Sequence, residues 1–248
     1  MTMILVNGLS FGYPDSGRVL DGISFRAEEG ERIGVIGPNG AGKTTLFQLL
    51  CGLLKADVGS MAIGGREVQP HQFNPDTGFV FQNPDDQLFN ATVYEDIAFG
   101  PLNLNLPAEE REERIRNAIE TAGCGALLNR PPHHLSGGEK RMVSIATIIA
   151  MKPRLMIYDE PTSNLDMRAR RHLIDFINRS YETALISSHD LEFILETCSR
   201  VLLLDVGIIV ADGPAHRVMN DAVLMRDHGL ERPHSLLHGK GHRHPRKG

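Results

Sequence analysis

Short apolar runs alternate with helix-periodic segments along most of this chain. MILV (3–6) and ISFRA (23–27) read as strands around the turn-rich YPDSG. ERIGVIG (31–37) reads as a third strand, and it passes through a glycine-rich turn into TTLFQLLCGLL, whose apolar spacing predicts a helix. Strand, glycine loop and helix in that order open an α/β nucleotide fold. Further on, the wholly apolar LMIY (155–158) and ALIS (184–187) stand between helical patterns at about 137–151, 167–180 and after His189. VLLLD and IIVAD pair to close the fold. Near-continuous apolar strands between helices predict a parallel sheet covered on both faces.

The pattern changes between residues 83 and 135. Turn residues dominate NPDDQLFNATVYED, and a helix is predicted at about 107–122. Its first turns carry Glu109, Glu110, Glu112 and Glu113, with Arg114 and Arg116 later, which complements the helix dipole. Ile115, Ala118, Ile119 and Ala122 share one face, and Gly123 supplies the stop. The expected organisation is an α/β lobe (about 1–82 and 152–220) with a mainly helical lobe (about 83–151) inserted into it. An extension covers 221–248.

Composition narrows the class. With 248 residues, 41% hydrophobic and 23% charged, the chain can build one large domain or two closely packed lobes. A net charge of −5 gives no overall attraction to nucleic acid. Cys51, Cys124 and Cys198 stand far apart in apolar contexts, as buried small hydrophobes in a reducing compartment would. The opening MTMILVNGLSFGYP lacks a basic start and a long apolar stretch, so it does not read as a signal peptide. The longest apolar run, IATIIAM (145–151), is far too short to span a bilayer. From residue 232 the chain is basic, His-rich and without an acid, and is expected to be disordered.

Candidate chemistry begins at Gly37, Pro38, Asn39, Gly40, Ala41, Gly42, Lys43 and Thr44, a GxxxxGK[ST] pattern between a predicted strand and a predicted helix. Glycines let backbone N–H groups curl around phosphates, and the helix N-terminus adds positive potential. Lys43 is placed to reach the β- and γ-phosphates and the Thr44 hydroxyl to ligate Mg²⁺. Asp159 and Glu160 leave the apolar strand at the sheet edge where α/β folds hold ligands. Asp159 suits the Mg²⁺ shell, and Glu160 suits orienting and deprotonating an attacking water. A plain strand-end turn is the alternative. Leu135, Ser136, Gly137, Gly138 and Glu139 open another helix and again present N–H donors, although Ser-Gly-Gly is also an ordinary cap.

The phosphate loop, Gln82, LSGGE, YDEP, Ser163-Asn164-Leu165-Asp166 and His189, in that order, resemble the ATPase subunit of ATP-binding-cassette (ABC) transporters over about residues 3–220. The resemblance implies a P-loop NTPase lobe of RecA type with an antiparallel β-subdomain and an inserted helical lobe. It implies ATP and Mg²⁺ as ligands, with Lys43, Gln82, Glu160 and His189 catalytic. Residues 37–45, Thr45 included, would bind nucleotide. Tyr13 would stack on adenine, or be only a surface turn aromatic. Thr44, Gln82 and Asp159 would hold Mg²⁺, and His189 would contact the γ-phosphate. Residues 135–139 would close over nucleotide held by a second subunit, with Asp166 at the subunit contact. Glu139 where Gln is more usual, Asp166-Met167 where Asp-Pro is commoner, and Asn164 in the contact loop depart from the family pattern.

FQNPDDQLFNATVYEDIAFGPLNLNL and PPHHLSGGEKRMVSIATIIAMKP resemble the energy-coupling-factor branch of importers, especially its cobalt and nickel members. That resemblance implies a homodimer, or a pair with a close paralogue, on the cytoplasmic face of a bacterial or archaeal membrane. A transmembrane coupling subunit and a membrane-embedded capture subunit would be its partners, and nucleic acid would not. Asn83, Pro84, Asp85, Asp86 and Gln87 would lie near the groove for the coupling helices, or form an ordinary acidic turn. Vitamin import and a soluble nucleic-acid ATPase are the alternatives. Against the latter, no sustained heptads separate Lys43 from Ser136, and only one cassette is present. His234, His238, His242 and His244 are candidate metal handlers, but Gly239, Gly241 and Pro245 prevent a helix from aligning them. A solvated basic tail is the simpler reading.

Overall fold

The computed structural model describes residues 1–15, 17–180 and 182–237. An antiparallel sheet has the order β2-β1-β4-β5. It is built from β1 (Thr2–Tyr13), β2 (Gly17–Glu28), β4 (Val58–Ile63) and β5 (Arg66–Glu67). A six-stranded sheet, β10-β9-β3-β8-β7-β6, holds β3 (Arg32–Ile36), β6 (Thr77–Val80), β7 (Leu155–Tyr158), β8 (Thr183–Ser187), β9 (Arg200–Asp205) and β10 (Ile208–Pro214). β9, β3, β8, β7 and β6 run parallel, and β10 turns back antiparallel to β9.

Strand alternation divides the core in two. Leu155 and Ile157 of β7, with Leu202 and Leu204 of β9, face the antiparallel sheet and α1 (Lys43–Leu50). Met156, Tyr158, Val201 and Leu203 face the helices on the other side. Both faces of the sheet are therefore apolar, which explains the unbroken LMIY. Phe47 of α1 is fully buried between the sheets, a burial worth about 1.5–3 kcal/mol.

On the opposite face α4 (Gly137–Ile149) and α6 (Leu191–Thr197) meet the sheet, α5 (Met167–Arg179) packs on both, and α2 (Val93–Asn103) and α3 (Ala108–Ala122) pack against α4. α3 buries Ile115, Ala118 and Ala122, and Gly123 ends it at φ 67°. α2 corrects the expectation of a turn-dominated stretch. Thr92 and Glu95 form a reciprocal cap that starts this helix inside it. β1 and β2 are also longer than MILV and ISFRA, because register shifts around Gly8 and Gly22 let the strands bend without ending.

After β10 come α7 (Ala215–Val218), α8 (Ala222–Asp227) and α9 (His234–Leu237). The expected disorder from residue 232 is corrected as far as Leu237. Arg232 donates to Asn220 Oδ1 at 2.5 Å, and the Ser235 hydroxyl donates to Glu192 at 2.6 Å. His238, His242 and His244 lie outside the described residues. Among the described residues no helix is long and apolar enough to cross a membrane.

Candidate active site

Because β6, β7, β8 and β3 are parallel neighbours, the loops after them emerge at one edge of the sheet. Gln82, Asp159, His189 and the phosphate loop are thereby brought together from distant parts of the chain. A cavity of about 350 Å³ is lined by residues 39–45, Tyr13, Gln82, Asp159, Glu160 and His189. Gly37 and Pro38 do not line it, but their carbonyls accept from Lys43 Nζ at 2.8 and 3.0 Å. Gly37 sits at φ 154°, and a Cβ there would meet the Leu204 carbonyl oxygen at 1.9 Å, so no other residue fits. α1 begins at Lys43 and directs its N-terminus into the cavity. Burial pushes the Lys43 ammonium below its ordinary pKa, while Glu160 and Asp159 act against that shift.

Both carboxylates are buried. Asp159 accepts from the Ser187 hydroxyl (2.7 Å) on one oxygen and the Thr44 hydroxyl (2.8 Å) on the other. Glu160 stands at φ 45°, a backbone state costing on the order of 1–3 kcal/mol for a side chain of this kind. Its amide donates to Ser187 Oγ at 2.9 Å, and its Oε2 accepts the His189 amide at 3.0 Å. Oε1 lies 3.2 Å from His189 Nε2, outside hydrogen-bond geometry, and is buried with no partner among the described residues. One carboxylate oxygen is thus uncommitted beside the phosphate loop. The Thr44 hydroxyl and Asp159 carboxylate, with Gln82 lining the same cavity, form an oxygen-rich set that fits Mg²⁺. The Tyr13 hydroxyl is 3.4 Å from Thr45 Oγ1, and its ring packs edge-on to Phe11.

The signature residues lie elsewhere. Ser136, Gly137, Gly138 and Glu139 line a separate cavity of about 790 Å³ with Asn164 and Asp166, and it shares no lining residue with the first. Ser136 caps α4, and its hydroxyl donates to Glu139 Oε2 at 2.8 Å. The Ser136 amide, which donates to the same oxygen at 2.8 Å, and then the hydroxyl hold the Glu139 carboxyl below the usual range. Gly138 lets α4 approach α5, since a Cβ there would be 2.7 Å from that of Ala169. Leu135 is packed into the helical core instead of lining the cavity. Asp166 caps α5 by accepting from the Ala169 amide at 2.7 Å. Asn164 takes φ 61°, a left-handed state that Asn tolerates better than most residues, which accounts for this departure from small residues.

Two features escaped the sequence reading. Arg141 of α4 is 1% exposed and donates to the carbonyls of Phe81 (2.6 Å) and Gln82 (2.7 Å). Burial lowers its pKa to about 10, with Asp159 opposing. A charged residue inside the buried register of a helix was the available signal. The second feature is the aromatic lining of an apolar groove of about 320 Å³, formed by Phe73, Phe89 and Phe99 with Ile148 and Met151. Phe89 and Phe99 meet edge to face at 5.0 Å, yet Phe73 and Phe89 are about two-thirds exposed (66% and 65%). Gln87 lines this groove too. It accepts from the Phe81 amide and donates to Ser144 O and Thr147 Oγ1, tying groove to site. Asp85 is solvent-exposed and pairs with Lys140 at 2.7 Å.

The sequence pattern of the ABC transporter family matches residues 20–163. A provisionally named ABC transporter ATP-binding protein of Synechocystis sp. is 53% identical over 233 residues, covering 94% of this chain and 82% of that protein. The energy-coupling factor transporter ATP-binding protein EcfA of Methanothermobacter thermautotrophicus is 46% identical, covering 93% and 77%. Among solved structures, CbiO1 of Clostridium perfringens, part of the ABC transporter complex CbiONQ, superposes with a TM-score of 0.79 at 32% identity. That match covers 91% of this chain and 94% of CbiO1.

Proposed function

The chain belongs to the ABC transporter family as an ATP-binding ATPase subunit of energy-coupling-factor type, and from that premise we propose how its site works and what it drives. The reading rests on one observation: two half-sites on one chain, a buried carboxylate pair beside the phosphate loop and a signature loop lining a different cavity. ATP binds with its phosphates along residues 37–45, Lys43 Nζ turning from the Gly37 and Pro38 carbonyls to the phosphate oxygens. Tyr13 lies against the base. Thr44, Asp159 and Gln82 hold Mg²⁺, which when bound neutralises phosphate charge. The free Oε1 of Glu160 takes a proton from the attacking water as the water oxygen bonds to the γ-phosphorus and the ADP oxygen leaves. His189 steadies the γ-phosphate, and the Ser136–Glu139 loop of a second copy, or of a close paralogue, completes the cavity across an Asp166 contact. Losing the γ-phosphate removes the bridge and reopens the pair.

The groove of Phe73, Phe89 and Phe99 receives a helix of a membrane coupling subunit, with residues 83–87 carrying the signal to Gln82. The chain then works at the cytoplasmic face of the membrane without crossing it. The cargo is cobalt or nickel, a reading supported by the Pro131-Pro132-His133-His134 stretch and by the similarity to CbiO1.

Replacing Glu160 with Gln is expected to preserve ATP binding and reduce turnover by roughly 10²–10⁴-fold, as for loss of a general base. Near-parental hydrolysis would sink the assignment. For the cargo, radiolabelled cobalt and nickel uptake is measured in cells lacking and regaining the gene. Unchanged uptake with restored vitamin accumulation would move the cargo to vitamins.

A further inference from the structure

His189 poses a question of support. Its side chain is half exposed, and Glu160 is its one close partner among the described residues. Its position must therefore come from the backbone on either side. On one side the Ser188 hydroxyl bonds the Thr162 hydroxyl at 2.9 Å and accepts the Asp190 amide at 3.0 Å. On the other, Asp190 caps α6 through the Phe193 amide (2.9 Å) and receives a two-pronged hydrogen bond from Arg170. Arg170 Nε reaches one carboxylate oxygen at 2.5 Å and Nη2 the other at 3.1 Å. A planar guanidinium held at two points fixes orientation as well as distance. Burial alone would raise the Asp190 carboxyl, but the bonds from Arg170 and the Phe193 amide outweigh it and keep it below the usual range.

Arg170 stands in the first turn of α5, which Asp166 caps beside the signature cavity. Its amide makes the ordinary helical bond to the Asp166 carbonyl (2.9 Å), while its side chain joins this helix to the segment that carries His189 at the first cavity.

We propose that Arg170 is a positioning residue for ATP hydrolysis: through Asp190 it fixes the segment that carries the His189 imidazole beside Glu160 and the phosphate loop. The proposal rests on the reading of Glu160 and His189 given above. A plain strut between α5 and α6 is the rival role, because Arg170 also bonds Glu196 at 3.2 Å. A strut would lower stability and leave the chemistry alone, whereas positioning appears in kcat with KM spared.

The test uses the full chain with Arg170→Met, Arg170→Lys, Glu196→Gln and His189→Ala, reading kcat, KM for ATP, melting temperature and single-turnover hydrolysis. Arg170→Met is expected to cut kcat roughly 10–100-fold with KM within about twofold, since small misplacements of a reacting geometry cost this much. Arg170→Lys, with one point of attachment, falls between Met and parent and carries the test if the Met variant folds poorly. Glu196→Gln keeps the parental rate. In the His189→Ala background, Arg170→Met adds no further single-turnover loss. Turnover of Arg170→Met within about twofold of parent, or an undiminished loss in the His189→Ala background, overturns the positioning role. Parental hydrolysis by His189→Ala alone would instead refute the reading of the site beneath it.

Discussion

The nucleotide cavity and the aromatic groove are built by opposite means. The cavity is assembled from buried charge, with Asp159, Glu160 and Lys43 all less than a tenth exposed and each hydrogen-bonded by groups of the phosphate loop, α1 or the β8 end. The groove exposes apolar rings and keeps its polar groups inside. Buried Asp96 accepts the Phe89 and Asn90 amides at 3.1 and 3.0 Å, holding the loop while its phenyl rings face outward. Burying a charge is unfavourable unless it is paired or hydrogen-bonded, and a cluster of exposed phenyl groups marks a surface for a partner. Each region bears the cost that suits its task, and Gln87, Phe81, Gln82 and Arg141 bond one to the other.

Changes that break this contrast should have separable effects. The largest is Asp159→Asn, which leaves an amide N–H₂ facing the Thr44 or Ser187 hydroxyl. Steady-state assays should show turnover down roughly 10²–10³-fold, the range seen when one buried polar element of an active site is removed. A rate within tenfold of parent would mean that Asp159 is only a strand-end turn. Gly37→Ala comes next. Its Cβ cannot coexist with the Leu204 carbonyl, so ATP affinity by calorimetry should fall roughly 5–150-fold, as the strained loop costs on the order of 1–3 kcal/mol. Undiminished affinity would show that the loop shape does not govern binding.

Phe89→Ala acts on the other region. Recovery of membrane subunits by the tagged chain should drop about tenfold, the loss typical of an aromatic anchor worth more than ~1 kcal/mol, while ATPase activity of the isolated chain stays within about twofold. Full recovery of those subunits with this variant would remove the groove from the docking account.

A further effect concerns pH. Burial raises the thiols of Cys51 and Cys198 to about 12 and that of Cys124 to about 11. An unfolded thiol titrates near ~8.5, so above that value the unfolded chain gives up protons that the native chain retains. Stability is then lost as pH rises from about 8.5 toward the native values. Melting temperatures should decline from pH 8.5 to 10, and a flat series would contradict the buried placement of these thiols.

Much of this molecule was legible along the chain, for reasons that are local. LMIY is apolar on both faces, the phosphate loop has its glycines in order, and α3 has one apolar face with Gly123 at its end. α2 was missed because the turn residues of NPDDQLFNATVYED mask its start, whereas the cap at Thr92 and Glu95 and the burial of Val93, Ile97 and Ala98 make it a helix. β4, β5 and β6 are short, and VGSMAI mixes small and polar residues. β4 pairs with β1 and β6 with β7, partners far off in sequence, while β5 is only a two-residue return against β4. The site was readable as residue types but not as a bonded whole. Ser187 joins Asp159 across 28 positions and Arg141 joins Gln82 across 59, separations that no local pattern encodes.

The central claim is that one chain carries two half-sites that ATP brings together between copies. Light scattering on the Glu160→Gln variant, with and without ATP and Mg²⁺, tests it most directly. The account predicts that ATP raises the mass to twice 27.4 kDa and that ADP does not. A species that binds ATP at full occupancy and keeps the mass of a single chain, both alone and mixed with a close ATPase paralogue, would contradict it.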